Sequence, residues 1–297
     1  MCIRDRLMTC RDLSGAKVLK CYYVPLIDGN GNMINDPLVL KVEDMKWRIC
    51  IADSDVLLYA KGIADSMKLN VKIHETKIST LAVQGPKSLD VMRKVFGDEI
   101  SKLKFFNFNY FKFEGIDFMI SKSGFSKQGG YEIYVENSKS GLKLYDYIIK
   151  VGNKFNLKPG CPNVIERIEG ALLSYGNDMD NNDNPFECGL DKYVNLESNI
   201  EFLGKKALQK VKLEGIKRKL MGVKINEKNI NLTSELKLVD ENKETIGYLR
   251  SAVYSPRFKM IVGIAMINIE YCKDSQNFKT NINNKEVSGS VCSLPMN

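Results

Sequence analysis

The sequence predicts an α+β body followed by a C-terminal region of short strands that closes into a small barrel. Three observations lead there. Hairpin signals and helical stretches mix irregularly through the first two thirds of the chain, which argues against a doubly wound parallel sheet. The helical signal fades after Lys205-Lys206-Ala207-Leu208. From Leu220 onward short strand patterns alternate with polar turns, as in a small all-β barrel or sandwich.

Taken in order, residues 20–27 and 33–42 are apolar runs separated by Asp28-Gly29-Asn30-Gly31. Asp, Asn and Gly tolerate the positive φ angles of tight turns, so this reads as a hairpin of two long strands. Residues 47–52 add a third strand. Asp53-Ser54 offers N-cap chemistry for a helix running to about Met67. Strands are predicted at 71–76 and 80–83. Pro86 opens a helix that ends at Phe96. A strand pair covers 110–113 and 117–121. The Gly-rich loop Ser123-Gly124-Phe125-Ser126-Lys127-Gln128-Gly129-Gly130 leads into the strand Tyr131-Glu132-Ile133-Tyr134-Val135. Helices are predicted at 141–155 and 163–174. A boundary at Gly215-Ile216-Lys217 separates a region 7–215, with two subdomains, from a barrel region 216–297. Residues 1–6 look unrelated to the rest of the chain and read as a translated artefact joined to a truncated gene. Leu7-Met8-Thr9-Cys10 reads like the middle of a domain.

The chain has 297 residues, 44% apolar and 27% charged, enough for a full core and unlike a disordered protein. The net charge of +8 comes from Lys spread along the chain, with no basic stripe interleaved with aromatics, so nucleic acid is not an expected partner. No run approaches the roughly 18 apolar residues of a membrane span, and no signal peptide is visible. Eight Cys without a CxxC read as reduced thiols in the cytoplasm. His74 is the sole His, so a zinc cluster is not expected. Its alternating surroundings, Val71-Lys72-Ile73-His74, suggest a strand surface. The sequon Asn231-Leu232-Thr233 is read as chance.

No P-loop, GxGxxG or HExxH is present. The loop at 123–130 enters a strand, so no helix N-terminus faces its amides, and by itself it is a generic tight loop. Its neighbours make it specific. Gln84-Gly85-Pro86 is followed by Ser123-Gly124-Phe125, Gly130-Tyr131-Glu132-Ile133 and Arg167-Ile168-Glu169-Gly170. Leu173-Ser174-Tyr175-Gly176-Asn177-Asp178, Pro185-Phe186-Glu187-Cys188-Gly189-Leu190, Phe202-Leu203-Gly204-Lys205 and Tyr254-Ser255-Pro256 come next. This order, from about Leu7 to the end, resembles the glycine-cleavage T-protein (aminomethyltransferase) superfamily. The resemblance implies a folate-binding body of two domains plus a C-terminal β-barrel, arranged around a tetrahydrofolate channel. It also implies that a first layer, found before Leu7 in family chains, is missing here.

Met8-Thr9-Cys10-Arg11-Asp12-Leu13, Tyr22-Tyr23, Ile51-Ala52-Asp53-Ser54-Asp55 and the stretch 177–187 resemble the dimethylsulfoniopropionate demethylase branch. That branch implies methyl transfer from a small sulfonium to tetrahydrofolate, without metal, in a monomer or homodimer. The alternatives are a glycine-cleavage aminomethyltransferase working with a lipoyl carrier, or a folate-binding maintenance protein without turnover. Two departures favour the sulfonium. The loop reads Ser126-Lys127-Gln128-Gly129 where T-proteins usually carry Gly-Glu-Asp-Gly, and the paired-Asp pattern near Asn35-Asp36-Pro37 is broken.

Candidate site residues come from the resemblance read with the residues. Glu132 is the pterin anchor, since a carboxylate accepts two parallel hydrogen bonds from the 2-amino group and N3–H. Alternation places Tyr134 on the same side, where it can stack on the ligand. Phe125 packs against it from the loop. Arg167, on a mostly apolar helix, needs a partner, either folate or a carboxylate such as Asp178. Tyr23, or its neighbour Tyr22, offers a π face to the sulfonium. Asp36, with Tyr23, completes the catalytic candidates. Lys127 reads as a solvated loop residue or a contact for a ligand carboxylate.

Overall fold

The computed structural model describes residues 7–51 and 55–296. The expectations about residues 1–6 and the N-cap at Asp53-Ser54 lie outside these. In chain order the elements are β1 (Lys20–Tyr23), β2 (Leu26–Ile27), β3 (Met33–Asn35), β4 (Leu38–Glu43), β5 (Lys46–Cys50) and α1 (Asp55–Ser66). Then come β6 (Ser79–Gln84), α2 (Ser88–Phe96), β7 (Phe108–Phe113), β8 (Ile116–Ser121), β9 (Gly130–Val135) and α3 (Ser138–Gly152). They are followed by α4 (Val164–Glu169), α5 (Lys205–Glu214), β10 (Arg218–Ile225), β11 (Leu236–Val239) and β12 (Thr245–Ser255). The last strands are β13 (Met260–Asn268), β14 (Asn277–Ile282) and β15 (Lys285–Cys292).

Two compact units form. One holds Ser14–Tyr23 and Pro37–Pro162; the other holds the stretch ending at Leu13, Val24–Asp36 and the chain from Asn163 onward.

The first unit contains a four-stranded sheet in the order β6-β9-β8-β7 and a three-stranded sheet in the order β1-β4-β5, both antiparallel. Side chains alternate across a strand, so each strand serves two faces. On one face of the larger sheet Val83, Ile120, Tyr131 and Ile133 pack with Val91 and Met92 of α2 and Leu144 and Ile148 of α3. Helix α3 starts where the Asn137 side chain accepts the Ser140 amide, satisfying an otherwise orphaned N–H. The opposite face carries Phe108, Met119, Ser121, Glu132 and Tyr134. Its larger members cluster with Cys21, Leu40 and Val42 of the smaller sheet.

In the second unit β2 and β3 pair as a hairpin, and the six C-terminal strands close a barrel in the order β10-β13-β12-β11-β14-β15. Closure leaves no free sheet edge. The barrel interior is filled by Val223, Ile225, Leu238, Leu249, Ile261, Ala265 and Phe278. The expected α+β body and terminal barrel are both present. Among the described residues no helix is long and apolar enough to cross a membrane.

Three expectations change. The two long strands at 20–27 and 33–42 are each split, by Val24-Pro25 and Asp36-Pro37, because proline has no N–H to give a ladder. The halves β1 and β4 belong to the first unit, and β2 and β3 to the second. Residues 71–76 form no strand and His74 is exposed outside any sheet. That stretch has no strand to pair with. Its amides bond only locally, Val71 to the Leu69 carbonyl and Ile78 to that of Thr76, both at 2.9 Å. The helix at 163–174 stops at Glu169, because Gly170 caps it and Ala171 takes a φ of 53°.

The barrel core predicts a sharp contrast in stability. Leu249→Ala should cost about 2–5 kcal/mol, as a cavity in a filled interior does. Leu213→Ala, at a position 88% exposed, should change stability by less than about 0.5 kcal/mol. Urea unfolding of the two variants measures the difference.

Candidate active site

The Gly-rich loop is fastened by Gln84, the last residue of β6. Its Nε2 donates to the carbonyls of Ser123 at 3.1 Å and Tyr131 at 3.2 Å. Its Oε1 accepts from Ser126 Oγ at 2.8 Å. A Cβ on Gly124 would stand 1.9 Å from Gln84 Oε1, and one on Gly130 would stand 2.5 Å from Gln84 Cδ. These glycines are therefore required by close packing on Gln84. Phe125 projects from the loop, 39% exposed, and Lys127 sits exposed near its tip with φ 58°.

Beneath the loop runs a chain of hydroxyls that ends on Glu132. Ser123 Oγ donates to Glu132 Oε2, so its single hydrogen is committed. Ser121 Oγ, 2.6 Å away, must then donate to Ser123. Tyr134, at 3.2 Å from Ser121 Oγ, must in turn donate to Ser121. The thiol of Cys50 lies close to Tyr134. The order Tyr134, Ser121, Ser123, Glu132 thus has each member directing its donor toward the carboxylate. Glu132 Oε1 has no hydrogen-bond partner among the described residues. Burial raises the Glu132 pKa, and the Ser123 bond only partly opposes this. Burial likewise pushes the Cys50 thiol up to about 11, and raises Cys21 and the Tyr134 hydroxyl. All three are neutral near pH 7.

The smaller sheet supplies the other side. Register aligns Tyr23, Leu38 and Cys50 in one row and Cys21, Leu40 and Arg48 in the next on the same face. That face includes Cys21 and Leu40, which cluster with Tyr134. Of the two adjacent tyrosines, Tyr23 therefore lies on the face of the smaller sheet that packs toward Tyr134. Tyr22 points the other way, where its hydroxyl accepts the Lys17 amide at 2.7 Å. Tyr134 is buried, 3% exposed, with the Arg48 guanidinium 5.7 Å from its ring centroid. It meets the polar chain through its hydroxyl.

Glu132, Tyr134, Phe125 and Tyr23 all belong to the first unit, and Arg167 and Asp36 to the second. Of the two partners open to Arg167, the structure supplies the carboxylate. Nη1 donates to Asp178 Oδ2 at 2.7 Å and Nη2 to Ser251 Oγ at 3.2 Å. Asp36 is half-buried, its amide bonded to Asn35 Oδ1 at 2.9 Å. Sequence reasoning missed Gln84, Ser121, Ser123, Cys50 and Arg48. Gln84 stood in a recognised motif, but its role depends on a contact across 39 residues. Ser121 becomes visible only through its register opposite Glu132.

Comparison with known proteins gives the family. Residues 5–198 match the GCVT N-terminal domain, and residues 218–296 match the glycine cleavage T-protein C-terminal barrel domain. The chain belongs to the glycine cleavage T-protein family. It is 38% identical to the dimethylsulfoniopropionate demethylase DmdA of Ruegeria pomeroyi over 263 residues, covering 89% of this chain and 71% of that protein. It is 31% identical to an aminomethyltransferase of Thermoanaerobacter pseudethanolicus over 289 residues, 95% of this chain and 77% of that one. The crystal structure of glycine cleavage system aminomethyltransferase T from Bartonella henselae shares the fold, with a TM-score of 0.81 at 19% identity. That match covers 97% of this chain and 79% of the other. Membership brings tetrahydrofolate binding and aminomethyl- or methyltransferase chemistry. The residues fit such a ligand. The unengaged oxygen of a desolvated carboxylate suits a ring that presents paired N–H donors.

Glu132→Gln separates binding from stability. Loss of a charge-assisted bond should weaken tetrahydrofolate by about 1.5–3 kcal/mol in a fluorescence titration. Because burial raises the folded-state pKa, ionising Glu132 costs stability as pH rises through that pKa. The ligand-free variant should therefore melt above the wild type at neutral pH, with the gain vanishing in acid.

Proposed function

We propose that this protein transfers a methyl group from dimethylsulfoniopropionate to tetrahydrofolate, giving methylthiopropionate and 5-methyltetrahydrofolate. The observation that carries this reading is the chemistry surrounding Glu132. Its neighbours are Tyr134, two serines and two protonated thiols, Tyr23 lies in the cross-strand row of one of those thiols, and the loop at 126–129 holds no acid. The identity with a named demethylase over most of the chain supports the same choice.

A sulfonium methyl is already activated. Its C–S bond breaks with the electron pair going to sulfur, so the leaving group is a neutral sulfide. Bound tetrahydrofolate supplies N5 as the acceptor, and the N5 proton is released once the N–C bond has formed. No strong general acid is needed, so positioning supplies most of the acceleration. Glu132 holds the pterin edge through its free oxygen, with the hydroxyl chain fixing its rotamer. Tyr23 presents an aromatic face to the cation without offering a strong nucleophile. The same restraint applies to the thiols. Cys21 and Cys50 would compete for an electrophilic methyl as thiolates, and burial keeps them protonated. Asp36, in the second unit, is the remaining catalytic candidate; an unchanged kcat in Asp36→Asn removes it from the scheme.

The protein incubated with tetrahydrofolate and dimethylsulfoniopropionate should form 5-methyltetrahydrofolate in reducing, metal-free buffer. It should not support glycine cleavage with a lipoyl carrier. Tyr23→Leu should raise KM for the sulfonium more than for folate, while Tyr23→Phe retains the wild-type ratio. Robust glycine-cleavage activity, or equal effects on both substrates, assigns the chain to aminomethyl transfer instead.

A further inference from the structure

Arg48 is a cation on the Tyr23 face of the smaller sheet, and neither the Glu132 chain nor the methyl transfer step uses it. It stands on β5, in the same cross-strand row as Cys21 and Leu40, and Tyr23 and Cys50 lie in the adjacent row. Its side chain is 17% exposed. Its guanidinium lies 5.7 Å from the ring centroid of Tyr134, whose hydroxyl heads the chain to Glu132. Nη2 donates to Glu136 Oε1 at 2.9 Å, and Nη1 reaches the Met119 sulfur at 3.4 Å, a weak acceptor. Nε and the second hydrogens of both terminal nitrogens have no partner among the described residues. Glu136 is 68% exposed, so its attraction is screened by solvent and leaves the guanidinium with usable charge.

A methyl donor that is a zwitterion has two ends to place. Its sulfonium needs an aromatic or weakly basic surface, and its carboxylate needs a forked donor. The first need is met by Tyr23. Lys127 is a poor source for the second, since it lies exposed on the loop, where a flexible ammonium is strongly hydrated. Arg48 is on a strand, held at one edge by Glu136 and packed over Tyr134, so its planar fork is fixed before any ligand arrives. Its place on the face of Tyr23 puts the two complementary groups on one surface.

We propose that Arg48 anchors the carboxylate of the methyl donor and thereby selects carboxylated sulfoniums over uncharged-tail ones. This rests on the reading of the site as a sulfonium methyltransferase. Arg48 is a binding and specificity residue, not a participant in the methyl transfer.

The test uses Arg48→Gln and Arg48→Lys in the whole protein. Two donors are compared: dimethylsulfoniopropionate, and a dimethylsulfonium alcohol of the same chain length. Binding of 3-methylthiopropionate, which keeps the carboxylate and lacks the sulfonium, is measured by calorimetry. Arg48→Gln should raise KM for the carboxylated donor about tenfold or more, as loss of a charge-assisted pair does. Its kcat, its tetrahydrofolate affinity and its KM for the alcohol should stay within about twofold. Arg48→Lys should fall between, and a thermal melt in the wild-type range shows that each variant folds. Equal losses on the two donors, an unchanged KM, or a parallel loss of folate affinity each overturn the assignment. Should the wild type use neither sulfonium, the functional reading fails and the calorimetry decides Arg48 on its own. Binding of 3-methylthiopropionate that is lost in Arg48→Gln upholds the anchor, and equal binding in both removes it.

Discussion

The first unit is organised around one half-buried carboxylate that has no cation bonded to it among the described residues. Glu132 lies on β9, a strand whose alternate residues Tyr131 and Ile133 are locked into the helix-covered core. The strand cannot slip by one residue without turning that core outward. Burial of Tyr131 and Ile133 therefore fixes Glu132 on the other face. The carboxylate must still be made tolerable there. Ser123 does so directly, and Ser121 and Tyr134 do so in series, since each hydroxyl has a single hydrogen and all of them run one way. The loop that carries Ser123 is in turn held by Gln84, which explains why its glycines stand where any Cβ would collide with that amide.

The same desolvation governs the neighbouring thiols. A site that handles an electrophilic methyl must not contain a better nucleophile than the intended acceptor. Thiolates would be such nucleophiles, yet Cys21 and Cys50 both sit on the face shared with Tyr23 and Arg48. Their burial raises both pKa values, with Cys50 reaching about 11, so the thiolate fraction near neutral pH is negligible. An apolar sheet-to-sheet contact involving Leu40, Phe108 and Met119 thus has a chemical consequence as well as a packing one. On the proposed methyl transfer, it would keep two potential side reactions switched off without removing the residues.

Much of this was legible in the sequence, for reasons that differ from residue to residue. The alternation in 131–135 correctly separated Tyr131 and Ile133 from Glu132 and Tyr134, because a period of two is a local property. The barrel was readable from short strands spaced by polar turns. The hairpin at Asp28-Gly29-Asn30-Gly31 was also local, but its length was not. The strands on either side change partners at Pro25 and Pro37, and sheet membership is a tertiary property. The strand expected at 71–76 failed for the same reason, since alternation makes a strand only when another strand is there to pair with. Arg48 went unnoticed because a single Arg beside a Trp on a short strand has no pattern; its meaning comes from register with Cys21 and from Tyr134 across the face.

Half-buried Glu132 differs from the buried acids of the second unit in what it is bonded to. In the second unit Asp178 receives Arg167 and Ser251. Asp183 receives Arg250 at 2.5 Å, and Arg218 approaches its other oxygen to 3.0 Å without hydrogen-bond geometry. Glu187 receives Arg218 at 3.1 Å. A buried carboxylate without a partner is costly, and folded chains normally remove it or pair it with a cation. These three are paired, as structural acids should be. Glu132 alone of this group is given hydroxyls in place of a guanidinium, although Arg48 lies over Tyr134 from the other sheet and is bonded instead to Glu136. On the proposed reading, a guanidinium on Glu132 would fill the oxygen meant for the pterin and would have to be displaced at each turnover. Hydroxyl donors lower the cost of burial while leaving Oε1 without a partner among the described residues. On that reading, the desolvation cost that remains at this carboxylate is one that a ligand with paired N–H donors would offset on binding.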